Sequence, residues 1–389
     1  MPSDIEAYYA PTDTAFHHHC ILGAMVSTVS AAEKTTSQLV ETIRAVGPEG
    51  KGHVAAQTAS LALANAPVAD IPVILAGMDQ ANALATNWLR IAVDTVAQKA
   101  IRRGDSLPQK SLEQFLQNTS HSPRGRRTAY ELLLQVDSGA EARYVPTFMQ
   151  DPSLELRFDA VATALEAAAA LAGDEAKHGE ALKAYADVFD AARDVKQIKA
   201  AAEKIKKLGG EVKMSDHFGF IRHWHLIGPF DNRDKGGFDV VYPPEKKVQF
   251  DARYDGSEGE QVGWIETTTD DDFGIVDLNK VLAKHKGAIC YAVAEFDAES
   301  AGEVDLRLGC INANKLWLNG KLLNTNNVYH AGMEIDQYVV RGQLKPGKNV
   351  IVLKIAQNEQ EESWAQRWQF QLRVCDAIGT AVLAKNRAQ

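Results

Sequence analysis

Cysteine is scarce in this 389-residue chain: Cys20, Cys290, Cys310 and Cys375 are the only four. None stands in a CxxC or CxxCH arrangement, which excludes a zinc ribbon, a thioredoxin-type site and an attached c-type haem. Four thiols in so long a chain do not make a disulfide scaffold. Cys310 alternates with Val304, Leu306 and Leu308, so it reads as buried filler on one strand face. No apolar run approaches 18 residues, so no membrane-spanning helix is expected. Positive charge is also short. The formal net charge of −9 argues against a general nucleic-acid binder, which needs a basic face. The chain has no G-x-S-x-G, no P-loop, no HExxH and no G-x-G-x-x-G after a strand, so no catalytic signature is legible.

What is present describes a soluble protein of more than one core, with 45% apolar and 24% charged residues. Residues 20–31, CILGAMVSTVSA, have the length of an export signal, and Val29-Ser30-Ala31 offers a small-residue cleavage site. Residues 1–19 contain no Lys or Arg, whereas a signal wants positive charge there. The segment 1–32 is therefore read as an irregular arm or a degenerate signal, and export or a periplasmic location as the expectation. His17, His18 and His19 read as a polar patch.

Residues 33–208 carry helical signals. Gly47-Pro48 and Pro67 stop helices, and Pro72 and Pro108 open them. Ser122-Pro123 and Asp151-Pro152 each read as an N-cap followed by proline at the first helical position. Asp151-Pro-Ser-Leu-Glu-Leu-Arg157-Phe-Asp-Ala160 is echoed around Ala129 and more faintly around Ala92, with the alanines 37 and 31 residues apart. Small Ala lets helices approach closely, and Arg near a helix start can bind acidic or carbonyl groups of a neighbour. Residues 33–172 on this pattern resemble HEAT repeats. The resemblance implies a solenoid that docks a protein partner. Residues 173–210 form a charged helical hairpin with two apolar stripes, ended by Gly209-Gly210.

From 211 to 389 the period becomes two, as in Val304-Asp-Leu-Arg-Leu308 and Trp368-Gln-Phe-Gln-Leu-Arg-Val374. About ten short strands are predicted, which argues a β-sandwich. Asn319-Gly320 between Lys315-Leu-Trp-Leu318 and Lys321-Leu-Leu323 suits a two-residue type I′ hairpin. Followed by Leu344-Lys-Pro-Gly-Lys-Asn-Val-Ile-Val-Leu353, this order resembles the galactose-binding-like jelly roll, the sugar-binding domain of many glycoside hydrolases. Trp224-His-Leu-Ile-Gly-Pro-Phe230 resembles the opening strand of such modules in bacterial, especially planctomycete, proteins. The expected fold is thus multidomain, an α-helical HEAT-like solenoid followed by an antiparallel jelly-roll sandwich.

In such modules ligands meet loops at one end. Three polar loops stand out: 231–239, 324–332 and 358–368. A sugar site needs an aromatic face with amide, carboxylate, imidazole or guanidinium partners for hydroxyls. Tyr329, His330, Asn358, Trp364 and Arg367 meet that need. Trp317 has two readings, a cap on the core or a platform near the sugar. The resemblance also implies a structural calcium, for which Asp231, Asp234 and Asp239 have the oxygen chemistry; Asp270-Asp-Asp272 is a second candidate. Their spacing misses the EF-hand pattern. His223-x-His225 places two imidazoles on one strand face, without an identifiable third ligand, and structural histidines are the expectation. The function expected is non-catalytic glycan or polysaccharide recognition, with protein docking on the helices. The alternatives are a pure protein scaffold and a carbohydrate-active enzyme with its site between helices and sandwich, for which Glu359, Glu361 and Glu362 are the available acids.

Overall fold

The computed structural model describes residues 34–387. The export segment, the three adjacent histidines and Cys20 lie outside the described residues.

Helices fill the first half. They are α1 (Thr36–Arg44), α2 (His53–Leu63), α3 (Ile71–Ala76), α4 (Ala83–Arg103), α5 (Gln109–Gln117), α6 (Pro123–Val136), α7 (Ala140–Tyr144), α8 (Leu154–Ala172), α9 (His178–Ala191), α10 (Val195–Lys207) and the short α11 (Met214–Phe218). Their starts follow from side-chain oxygens that accept orphan backbone N–H groups. Thr35 and Gln38 form a capping box, and Asn82, Ser122 and Asp194 cap α4, α6 and α10. Each such cap stabilises by about 1 kcal/mol. At α8 the cap is Ser153, not Asp151. Asp151 is instead drawn into a buried bidentate pair with Arg126, at 2.7 and 2.6 Å. Arg126 also reaches Leu116 O, and Arg157 reaches Asp151 O and Ala191 O. Arginines near helix starts therefore tie consecutive helices together, as their positions imply. Small Ala92, Ala97, Ala129 and Ala160 lie buried in the same core.

The second half is antiparallel β. Its strands are β1 (His223–Asp231), β2 (Arg253–Asp255), β3 (Gln261–Gly263), β4 (Ile265–Thr268), β5 (Val276–Asp277), β6 (Ala288–Ala298), β7 (Gly302–Cys310), β8 (Ala313–Leu318), β9 (Lys321–Asn326), β10 (Tyr338–Leu344), β11 (Gly347–Gln357) and β12 (Gln369–Cys375). The larger main sheet runs β4-β1-β6-β11-β8-β9 and the smaller β10-β7-β12-β5, and β2 and β3 pair as a separate two-stranded ribbon. Period two decides what they bury. Cys290, Ala292, Leu316, Ile351, Leu353 and Ile355 of the larger sheet pack with Leu306, Leu308, Phe370 and Leu372 of the smaller. The alternate residues of the larger sheet, including Tyr291, Val293, Trp317 and Val352, face outward. They are covered by the segment between β1 and β4, through Phe238, Tyr242, Phe250 and Trp264. Both faces of the central strands β6 and β11 are therefore buried, while the edge strands β4 and β9 stay largely exposed. The three described cysteines are free and buried, and desolvation pushes the Cys310 thiol up to about 12.

The hairpin β8–β9 turns on Asn319 and Gly320, both with positive φ, at 50° and 80°. That is the type I′ geometry their sequence demands. Among the described residues, no helix is long and apolar enough to cross a membrane.

Candidate functional site

The ends of β1, β9 and β11 and the start of β12 bring the three polar loops to one end of the sandwich. Buried amides hold them there. Asn232 is fully buried; its backbone N–H donates to Gly287 O at 2.7 Å and its Nδ2 to Gln357 O and the Tyr329 hydroxyl at 2.9 and 3.1 Å. Asn312 Nδ2 donates to Gln357 Oε1 at 2.6 Å, and Gln357 Nε2 donates to Ala365 O. The Asn232 and Asn312 bonds join segments far apart in the chain, and the Gln357–Ala365 bond closes the 358–368 loop, so tertiary hydrogen bonds fix the loops in addition to local turns.

Within this frame lies His330. Asn358 donates through Nδ2 to Gln360 Oε1, so its Oδ1 accepts from His330 Nε2 at 2.8 Å. The His330 proton is thereby assigned to Nε2, and its buried Nδ1 is an acceptor with no donor among the described residues. Asn232 Oδ1 is a second such acceptor. Trp364 meets the His330 ring edge to face, with centroids 5.1 Å apart, yet remains 55% exposed. Lys235 Nζ stands 5.3 Å above the Tyr329 ring, and burial raises the Tyr329 hydroxyl above its ordinary pKa. Beside them is an open hollow lined by Lys235, Asn358 and Gln360 together with Glu359, Glu361 and Glu362. Glu359 accepts the Asp234 backbone N–H.

Tyr329, His330, Asn358 and Trp364 are thus brought together, and Arg367 is exposed on the same loop as Trp364. Trp317 is not a platform. It is 9% exposed, next to the end of β8 and opposite Val352, and packs on the outward face of the larger sheet. Its alternation with Leu316 and Leu318 puts it on that face. The covering segment that buries it has no local sequence signature. Asn232, Asn312 and Gln357 were not identified from sequence, because an amide announces burial only through partners far along the chain.

The proposed calcium ligands do not form one donor set. Asp231 is paired with Arg233 at 2.8 Å, which holds its carboxyl below the usual range. Asp239 is paired with Lys315 at 3.0 Å. The described residues do bring together one group with metal-ligand chemistry. His223 and His225 of β1 face Glu266 of β4, with their candidate ligand atoms all within 4.8 Å. Two imidazoles and a carboxylate suit a borderline divalent ion such as zinc. His223 Nε2 already lies 3.1 Å from Glu266, and His225 packs on Phe250 with ring centroids 4.1 Å apart, so each has a structural partner as well.

No family model matches this chain, and no curated protein matches it. Among solved structures it is similar to a β-glucosidase from Kluyveromyces marxianus in complex with glucose, at 13% identity and a TM-score of 0.25. That match covers 39% of this chain and 16% of the β-glucosidase, so this chain spans about a sixth of it. A family 35 carbohydrate binding module from Clostridium thermocellum is also similar, at 13% identity and a TM-score of 0.16, over 27% of this chain and 99% of that one. A GH31 α-xylosidase from Xanthomonas citri matches at 14% identity and a TM-score of 0.17, over 29% of this chain and 15% of that one. Similarity at this level carries no argument about function.

Proposed function

We propose that the three-loop end of the sandwich recognises a glycan without chemistry, in a jelly-roll module of the galactose-binding-like kind. The observation that carries this reading is Trp364. A large indole left 55% exposed, and fixed edge-on to a half-buried His330 that is hydrogen-bonded to the buried Asn358, is a platform for the apolar face of a sugar ring. Arg367 and the glutamates of the hollow lie on the same loop and supply partners for hydroxyls. The calcium and export expectations are not needed for this reading.

Titration of the full chain against a panel of soluble polysaccharides tests it. Saturable binding to one sugar class is expected, with at least a tenfold loss in Trp364→Ala and no change in melting temperature. Wild-type affinity in Trp364→Ala would remove the site.

A second role favoured by a specific observation is protein docking on a HEAT-like helical stack. Val54 and Leu61 of α2 and Ile91 of α4 are apolar and largely exposed. Under this reading Leu61→Glu and Ile91→Glu would abolish association with the partner and leave glycan binding intact.

A further inference from the structure

A cavity of about 630 Å³ lies between α8–α10 and the smaller sheet. Arg157 of α8 and Arg193 of the α9–α10 connection approach it from the helices, and Arg307 of β7 and Arg373 of β12 from the sheet. The sheet pair is neutralised. Asp336 grips Arg373 at 2.6 Å through both oxygens and also takes Arg307 at 2.9 Å, and Asp305 takes Arg307 at 3.0 Å.

Among the described residues, the helix pair has no carboxylate in contact; Asp151, Asp376 and Asp190 act on it only through space. Arg157 Nε donates to Asp151 O at 2.8 Å, and Arg193 Nη1 donates to Ala192 O at 2.7 Å. Both guanidinium groups also donate to the same oxygen, Ala191 O, at 3.4 Å each. Arg193 adds the Thr380 hydroxyl across the gap. Among the described residues, neither has a carboxylate within ion-pair distance. Asp190 acts on Arg193 only through space, and the other nearby acids are committed elsewhere. Asp151 is held by Arg126, Glu155 by Arg124, and Glu131 and Asp159 by Arg127. Asp194 caps α10, and Asp376 accepts the backbone N–H groups of Ile378 and Thr380. Burial pulls both guanidinium pKa values down, and for Arg193 the charge of Arg157 adds to the effect. An arginine stays protonated regardless. Two desolvated positive charges sharing one carbonyl are electrostatically incomplete, and a bidentate oxyanion is the group whose geometry completes them.

The rest of the lining narrows the ligand further. Phe158 is 47% exposed at the cavity, with Leu154 and Ile378 beside it, so an apolar ring face is available. Gln197 is 7% exposed; its Nε2 donates to Phe158 O at 2.9 Å, which leaves Oε1 as an acceptor without a donor among the described residues. A ligand hydroxyl would satisfy it.

We propose that this cavity binds a small hydroxylated oxyanion of the sugar-acid or sugar-phosphate kind. Its anionic group lies on Arg157 and Arg193, and its ring lies against Phe158. The inference stands apart from the glycan site at the loop end. Calorimetry on the full chain at low salt would use glucuronate, glucose 6-phosphate, inorganic phosphate and neutral glucose. Saturable one-to-one binding is expected for glucuronate, glucose 6-phosphate or both, which tells a carboxylate source from a phosphate source. Glucose should give no heat, and Trp364→Ala should bind the anion normally. Arg193→Gln is expected to weaken binding at least tenfold. Phe158→Glu, at an exposed position, should abolish it by placing a competing carboxylate, with the melting temperature preserved. This second variant keeps the test valid where loss of Arg193 impairs folding. The proposal is overturned if neither anion binds at millimolar concentration, or if Phe158→Glu binds as wild type does. Inorganic phosphate binding as tightly as glucose 6-phosphate would overturn the assignment of Phe158 to a ring.

Discussion

His217 shows how a single residue records its surroundings. It packs on Phe189 with ring centroids 4.2 Å apart and meets Phe218 edge to face. Burial, and then the charge of Arg193, hold its imidazole down to about 4. In the unfolded chain the same group titrates near 6.5, so between those values the unfolded state carries a proton that the folded state refuses. Stability is full above about pH 6.5 and falls as pH drops toward 4. At pH 4.5 the linkage is worth about 2 kcal/mol, allowing for partial exposure. Urea midpoints of the protein and of His217→Asn at pH 7 and pH 4.5 check this. The variant should lose markedly less stability on acidification. Equal losses would mean that His217 is free to protonate in place.

At the scale of elements, legibility followed the range of the forces involved. The β8–β9 hairpin was readable because Asn319 and Gly320 are chosen by φ alone, and the α9–α10 hairpin because its stripes repeat within one helix. The loop-end aromatics Tyr329 and Trp364 were readable as residue types, but the amides that fix them were not. Nor was the covering of the larger sheet by the β1–β4 segment, whose aromatic packing is joined by a long-range clamp. Lys354 of β11 is fully buried, and its Nζ donates to Glu245 at 2.9 Å and to Val240 O at 2.7 Å. The rings of Tyr242 and Tyr291 flank it at 5.4 and 5.7 Å. Burial draws the Lys354 pKa down, while Glu245 opposes that shift. Breaking such a pair strands a buried charge. Lys354→Met alone should therefore cost about 3–5 kcal/mol, whereas Lys354→Met with Glu245→Gln should recover most of it. Chemical denaturation of the single and double variants measures the coupling. A double variant no better than the single one would show that the two side chains act independently.

For the whole molecule, the question is whether helices and sandwich fold as one unit. The apolar cluster of Tyr185, Phe189, Ile198 and Ile205 on α9 and α10 continues without a break into Phe218 and Phe220, with Phe273 and Ile335 packed against it. Arg373 Nη1 of the smaller sheet donates to Phe218 O at 3.2 Å, and its guanidinium lies over the Phe218 ring. The helical hairpin is therefore a packed layer between two cores, and Phe218 is where the layers meet. Truncating a buried phenylalanine costs about 3–5 kcal/mol through lost transfer energy and the cavity left behind. That loss falls on the junction rather than on either core. The wild-type chain should melt in one calorimetric transition, and Phe218→Ala should split it in two. Amide exchange should then quicken in α9 and α10 while β6 and β11, at the centre of the larger sheet, stay protected. Anion binding should weaken in the same variant, because Arg157, Phe158 and Arg193 come from the helix side of the junction, while Arg307, Arg373 and Ile378 close the cavity from the other. A wild-type chain that already melts in two separated steps would contradict this coupling, and would place the two regions side by side rather than in one cooperative unit.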